Sequence, residues 1–206
     1  MEPFIRLTAV AAPLLTPNIN TDVLIRVEPM IKVPKGKLGP YCFEAWRYLP
    51  DRSENPDFIL NKPAYRSAKI LLAGLNFGCG SSREPAVWAL ADMGFRCIIA
   101  PGFGDIFFNN CFQSGMLPIV MPVETVEKLA KLAQSQGDLA PDFTVDLERQ
   151  VIVTPSGEDI AFRIDALKRR ALLDGLDDIG VTLAAKAKID AFQANDLAQR
   201  PWIYRY

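Results

Sequence analysis

The sequence predicts an α/β fold in which parallel β–α units run into an antiparallel meander. Apolar runs at 70–73, 97–100 and 117–121 are too short for buried helices and read as strands covered on both faces. The first two are each followed by a glycine-marked turn and then by a stretch with helical spacing, the alternation that a parallel sheet requires. Beyond residue 140, three extended runs succeed one another with only turn residues between them.

The remaining elements follow in order. Residues 5–10 and 23–27 are short extended segments, and Pro29, Pro34, Gly36, Gly39 and Pro40 then mark a loop-rich region. Residues 49–67 hold three prolines and several Asn and Asp, which predicts a long surface excursion. A helix over 85–93 is closed by Gly94, and residues 101–104 turn the chain into a second one over 105–112. Residues 123–136 form an amphipathic helix with Val123, Val126, Leu129, Ala130, Leu132 and Ala133 on its apolar face and Gly137 at its end. The meander comprises 143–147, 150–154 and 160–164, the last two joined through Pro155-Ser156-Gly157. Asp165 caps a helix reaching 173, and 182–191 is the last helix. There is no repeat or low-complexity linker, so residues 1–206 read as one domain with a loop-rich excursion at about 28–67 and a C-terminal helical extension at about 165–206.

Composition narrows the function. Half the residues are apolar, enough for a sizeable core. Twenty-three Lys and Arg against 24 Asp and Glu leave a net charge of −1, which argues against nucleic acid or an anionic membrane as partner. Pro3, Arg6, Pro13 and Pro17 interrupt the N-terminal segment and no apolar run approaches ~20 residues, so a cytoplasmic protein is expected. Histidine is absent, and Cys42, Cys79, Cys97 and Cys111 form no Cys-x-x-Cys. The chain therefore lacks a usual zinc or iron–sulfur ligand set, and acid–base chemistry here has no imidazole to use. Each cysteine, Cys79 included, reads as a small buried hydrophobe.

The most chemical stretch is Gly74-Leu75-Asn76-Phe77-Gly78-Cys79-Gly80-Ser81-Ser82-Arg83-Glu84, at a strand-to-helix turn. Glycines let the backbone take positive φ and let a ligand approach the peptide planes, while the helix N-terminus offers free N–H groups to an anion. Arg83 adds a fork suited to a carboxylate, at a helix end where a cation is otherwise opposed by the dipole. The plain alternative is a structural turn with a serine as N-cap. A third glycine is missing for a dinucleotide loop, since position 83 is Arg, and no Gly-Lys-Ser/Thr follows to make a phosphate loop.

These residues resemble the small subunit of 3-isopropylmalate dehydratase, related to the swivelling domain of aconitase. Residues 76–86 reproduce that family's Asn-Phe-Gly-(Cys/Ser)-Gly-Ser-Ser-Arg-Glu-His-Ala signature apart from Pro85, which stands where the family usually has His. The likeness extends to Asn20-Thr21-Asp22, to 43–48 and 55–58, to 105–111 with Leu117-Pro118, and to 172–180, so that it covers most of the chain from about 18 to 190. It implies a three-layer β/β/α swivelling domain of the aconitase C-terminal type. It also implies the isomerisation of 3-isopropylmalate to 2-isopropylmalate in leucine biosynthesis, with a [4Fe–4S] cluster carried by a separate large subunit and none on this chain.

Residue by residue, the resemblance implies that Ser81 is an alkoxide base and that Ser82 and Arg83 bind a substrate carboxylate with Gly80 beside them. Thr21 and Asp22 match a pair at the active-site mouth, although Asp22 alone also suits a turn cap. Lys32, Lys35 and Lys37 sit in the loop where the family reads the variable arm of the substrate, although such a loop is also commonly just solvated. Pro85 suits a first helical turn, so the fold is expected to tolerate it. Departures at 26–28 and 33–37 leave open a relative acting on another malate such as 2-methylmalate. Two further alternatives are a non-catalytic anion-binding or regulatory module of the same fold and a dinucleotide-binding oxidoreductase.

Overall fold

One long strand, β1 (Arg6–Leu14), divides a curled sheet into a parallel and an antiparallel half. On one side stand β2 (Ile70–Ala73), β3 (Cys97–Ala100) and β4 (Leu117–Val120), parallel to one another and to β1. On the other lie β5 (Asp142–Asp146), β6 (Val151–Val153) and β7 (Asp159–Ala161), antiparallel throughout. The order across the sheet is β4-β3-β2-β1-β5-β6-β7. This computed structural model describes every residue except Ser82, Gln136, Arg205 and Tyr206.

Every residue of β2 and β3 is buried, as parallel strands covered on both faces must be. Along β1, Ala9 and Ala11 enter one core and Ala12 and Leu14 the other, the two-residue alternation of a pleated strand. Phe143, Val145 and Ile152 of the antiparallel half pack into the same core as Ile70, Leu72, Ile99 and Ile119, so the sheet folds over onto its own face. Helix α6 (Val123–Leu132) adds Val126, Leu129 and Ala130 there. On the opposite face α4 (Glu84–Asp92) buries Ala86, Val87, Ala89 and Leu90 against Leu71, Ala73, Ile98 and Ala100. Antiparallel strands, parallel strands and helices make the three-layer β/β/α arrangement that the resemblance implies.

The departures from expectation have local causes. In place of a strand at 23–27 the chain forms α1 (Thr21–Leu24) and α2 (Val27–Lys32). Asn20 Oδ1 accepts the Val23 N–H at 3.0 Å and so starts a helix, and Pro29 falls in the first turn of α2, where its missing N–H costs nothing. Strand β1 extends beyond residue 10 because Ala11 to Leu14 find a register partner in β2. After α3 (Glu44–Arg47), residues 49–67 are not a surface excursion throughout. Phe58, Leu60, Asn61, Ala64 and Tyr65 are buried. Asn61 Nδ2 donates to the carbonyls of Arg47 and Asn55 at 2.7 and 2.8 Å, and the Tyr65 hydroxyl donates to Ala133 O at 3.0 Å while accepting from Ser135 N. Satisfied polar groups of this kind let a loop enter a core.

Helix α5 (Asp105–Gln113) joins β3 to β4. Asp165 caps α7 (Ala166–Asp174) as expected, accepting from the N–H groups of Leu167 and Lys168, and Gly175 ends it at φ +67°. The last helix predicted at 182–191 is instead two helices, α8 (Asp178–Ala184) and α9 (Lys186–Gln199), because Asp177 Oδ1 accepts the Gly180 N–H at 2.7 Å and starts α8 early. Among the described residues no helix is long and apolar enough to cross a membrane.

Candidate active site

In an open sheet with parallel strands, ligands bind beyond the carboxyl ends of the strands. Three connections leave that edge here: 15–20 after β1, 74–83 after β2 and 101–104 after β3. They are tied by backbone hydrogen bonds that continue the parallel pairing past the strands. Gly78 N donates to Ile19 O at 2.7 Å, Thr21 N to Cys79 O at 3.0 Å, Phe77 N to Gly102 O at 3.0 Å and Gly104 N to Phe77 O at 2.9 Å. A cleft of about 310 Å³ results, lined by Thr21, Gly78, Cys79, Gly80, Ser81 and Arg83 from two connections and by Gly104, Asp105, Ile106 and Phe107 at the start of α5.

Glycine is required at two points of this junction. Gly78 has φ +70°, and a Cβ on it would collide with the ring of Phe107. A Cβ on Gly104 would lie 2.6 Å from Gly78 O, so the second and third connections touch backbone to backbone. Gly80 adopts φ +91°. Among the described residues the N–H groups of Gly80 and Ser81 have no backbone acceptor. Such a corner accommodates an anion.

The structure brings most of the sequence-predicted residues together. Ser81 is exposed at the cleft. Thr21 is buried and its Oγ1 donates to Ser81 O at 2.7 Å, which fixes the Ser81 peptide plane. Arg83 is the N-cap residue of α4, the place the sequence offered to a serine, and Pro85 falls in the first turn of that helix as expected. Asp22 does not cap α1, a role taken by Asn20. Its Oδ1 instead stands 2.5 Å from Arg83 Nη1, and that buried N–H lacks hydrogen-bond geometry toward it. Ser82, the other candidate carboxylate ligand, lies outside the described residues.

Other expectations are met differently. Cys79 is partly exposed and lines the cleft rather than packing in a core. Cys42, Cys97 and Cys111 are buried, and burial pushes their thiols well above the usual range, so they remain protonated. The described residues hold no group of three or more His, Cys, Asp or Glu that could bind a metal, and four scattered cysteines do not fit an iron–sulfur cluster. Lys32 pairs with Glu28 and Lys35 stands 4.4 Å over the Trp88 ring, so neither is brought to the cleft wall. Sequence reasoning gave no role to Asn20, whose backbone bridges to Cys79, or to Asp105 and Phe107, although they sit in stretches that carry the resemblance.

This fold, with an anion-ready turn at the carboxyl edge of its parallel strands, is that of an aconitase-type swivelling domain. Residues 1–124 match the family model described as the aconitase C-terminal domain. Residues 140–166 match a model described as LeuD_N, and 178–205 one described as the C-terminal domain of the 3-isopropylmalate dehydratase small subunit. The chain is 51% identical over 203 residues to the 3-isopropylmalate dehydratase small subunit of Dinoroseobacter shibae, covering 98% of this chain and 100% of that one. It is 52% identical, with the same coverage, to the protein of that name in Paramagnetospirillum magneticum. A crystal structure of 3-isopropylmalate dehydratase from Methanocaldococcus jannaschii shares the fold, with a TM-score of 0.65 at 21% identity over 92% of this chain and 99% of that one. The chain belongs to the 3-isopropylmalate dehydratase small-subunit family. A dinucleotide-binding oxidoreductase is excluded with that assignment.

Proposed function

We propose that this chain is the small subunit of a cytoplasmic hydro-lyase that isomerises 3-isopropylmalate to 2-isopropylmalate by dehydration and rehydration in leucine biosynthesis. The observation that carries the reading is one open cleft holding Ser81 on an anion-ready turn with Arg83 beside it. Dehydrating a hydroxy-diacid requires a base for a carbon-bound proton and cations for the carboxylates. Ser81 is the base. A serine hydroxyl is a very weak base unless its anion is stabilised, and the N–H groups of Gly80 and Ser81, without a backbone acceptor among the described residues, together with the Arg83 charge supply that stabilisation.

Thr21 positions Ser81 by holding its carbonyl. Arg83 takes a substrate carboxylate, with Ser82 and the Gly80 N–H as further donors. Asp22 belongs to the substrate-binding group through Arg83, whose guanidinium it keeps at the cleft. The cleft is half a site. Among the described residues it offers one cation, Arg83, with the carboxylates of Asp22 and Asp105 nearby, to a substrate that carries two negative charges. The missing positive charge and the [4Fe–4S] cluster belong to a large subunit that closes over it.

Ser81→Ala in the complex with the large subunit tests this assignment. The variant is expected to lower kcat by ~10²–10⁴, the scale of a lost positioned base, with the thermal midpoint and subunit affinity unchanged. A near-normal kcat, or a loss caused only by failed assembly, removes Ser81 from the role.

A further inference from the structure

The chain beyond Gly175 is built unlike the rest. From Asp177 to Tyr204 one residue, Asp196, is buried, while Leu183, Phe192 and Trp202 are 62%, 64% and 66% exposed. A helix of the length of α9, Lys186–Gln199, is marginal in water without a packed face, and here it packs mainly on α8 and the short 3₁₀ helix Pro201–Tyr204. The unit is nonetheless pre-shaped. Asp196 accepts from Arg200 Nε at 2.7 Å and from the Tyr204 hydroxyl at 2.9 Å, which folds the 3₁₀ helix back against α9. Beside it, α7, α8 and α9 enclose a groove of about 420 Å³ whose walls are mainly apolar, from Leu167, Ala171, Leu176, Val181 and Ala184, with Arg170, Asp174 and Lys188 also lining it. Exposed apolar surface on this scale marks an interaction site.

Three observations select the occupant. The model matching residues 1–124 describes a C-terminal domain, a part of a longer polypeptide, whereas the relatives aligned over their whole length are separate small subunits. A unit that is attached covalently in one setting needs a contact surface in the other, and residues 178–205 match a model specific to small subunits. Position agrees. Gln113 Nε2, at the C-terminal end of α5, donates to Asp178 Oδ2 at 2.9 Å, while the N-terminal end of α5 lines the cleft. Nine residues of helix separate the two by ~13 Å, well inside an interface of about 800 Å² per partner.

We propose that α8, α9 and the 3₁₀ helix form the docking face for the large subunit, with Phe192 and Trp202 as aromatic anchors and the groove beside α7 receiving an apolar element of the partner. This rests on the two-subunit reading above. It adds that the surface holding the subunits together is separate from the residues that perform the chemistry.

Phe192→Asp and Trp202→Ser, made separately in the full chain, are to be titrated against the cluster-bearing large subunit under anaerobic conditions by sedimentation or a binding assay that needs no turnover. The proposal expects each to raise the dissociation constant at least about tenfold, the loss expected of an interface anchor, with kcat at saturating large subunit and the thermal midpoint of the free chain unchanged. An unchanged dissociation constant in both variants overturns it. So does a free wild-type chain that dimerises at micromolar concentration and loses only that dimer in the variants, which would make a second copy the occupant. A wild-type complex that forms without turnover contradicts the catalytic reading and leaves the affinity comparison to decide this one.

Discussion

The two ends of α5 meet opposite kinds of structure. Its N-terminal end abuts a turn locked by backbone hydrogen bonds to neighbouring connections and by glycines that tolerate no Cβ. Its C-terminal end touches a helical extension whose large side chains point to solvent and whose hydrogen bonds are mostly its own. Backbone contacts fix positions to a fraction of an ångström, as a base and a carboxylate fork require. Exposed apolar helices fix little by themselves and gain their energy when something covers them. On this account the turn is set to work within the free chain, whereas the extension awaits its partner.

Substitutions that should cost much at one end and little at the other sharpen this contrast. Gly78→Ala places a Cβ against Phe107 at positive φ and is expected to destabilise the free chain by roughly 2–4 kcal/mol, read by chemical denaturation. A smaller loss would mean that the junction yields. Arg83→Lys keeps the charge and loses the fork. Within the complex it should weaken substrate binding by roughly 1.5–3 kcal/mol, seen as a raised KM, and an unchanged KM and kcat would move Arg83 to a structural role. Leu183→Ala, in the extension, should change the stability of the free chain by no more than about 0.5 kcal/mol. A larger loss would show that the extension is part of the core.

How far the sequence foretold each region follows the same division. The strands β2 and β3 were legible because four consecutive apolar residues bounded by turns leave few other readings, and α7 because Asp165 announces its own cap. The anion-holding turn with Arg83 was legible from its glycines and the arginine that follows them, whereas Ser81 was singled out by the resemblance. Readings failed where distant residues decide. Nothing near Asp22 says that it pairs with Arg83, nothing near Thr21 that it holds Ser81, and nothing within 58–65 that Asn61 and Tyr65 find buried partners far along the chain. Cys79 looked like core because its residue type usually is; its place in a turn at the sheet edge put it at the cleft instead.

The central claim is that this chain holds the base and one carboxylate grip of a site that only a second subunit completes. Mixing the purified chain with a cluster-bearing large subunit under anaerobic conditions, and following 3-isopropylmalate conversion as the chain is titrated in, tests it most directly. The account predicts no conversion by the free chain at any concentration and a rate that rises and saturates on mixing. Turnover by the isolated chain, or a tight complex that leaves 3-isopropylmalate untouched, would contradict it.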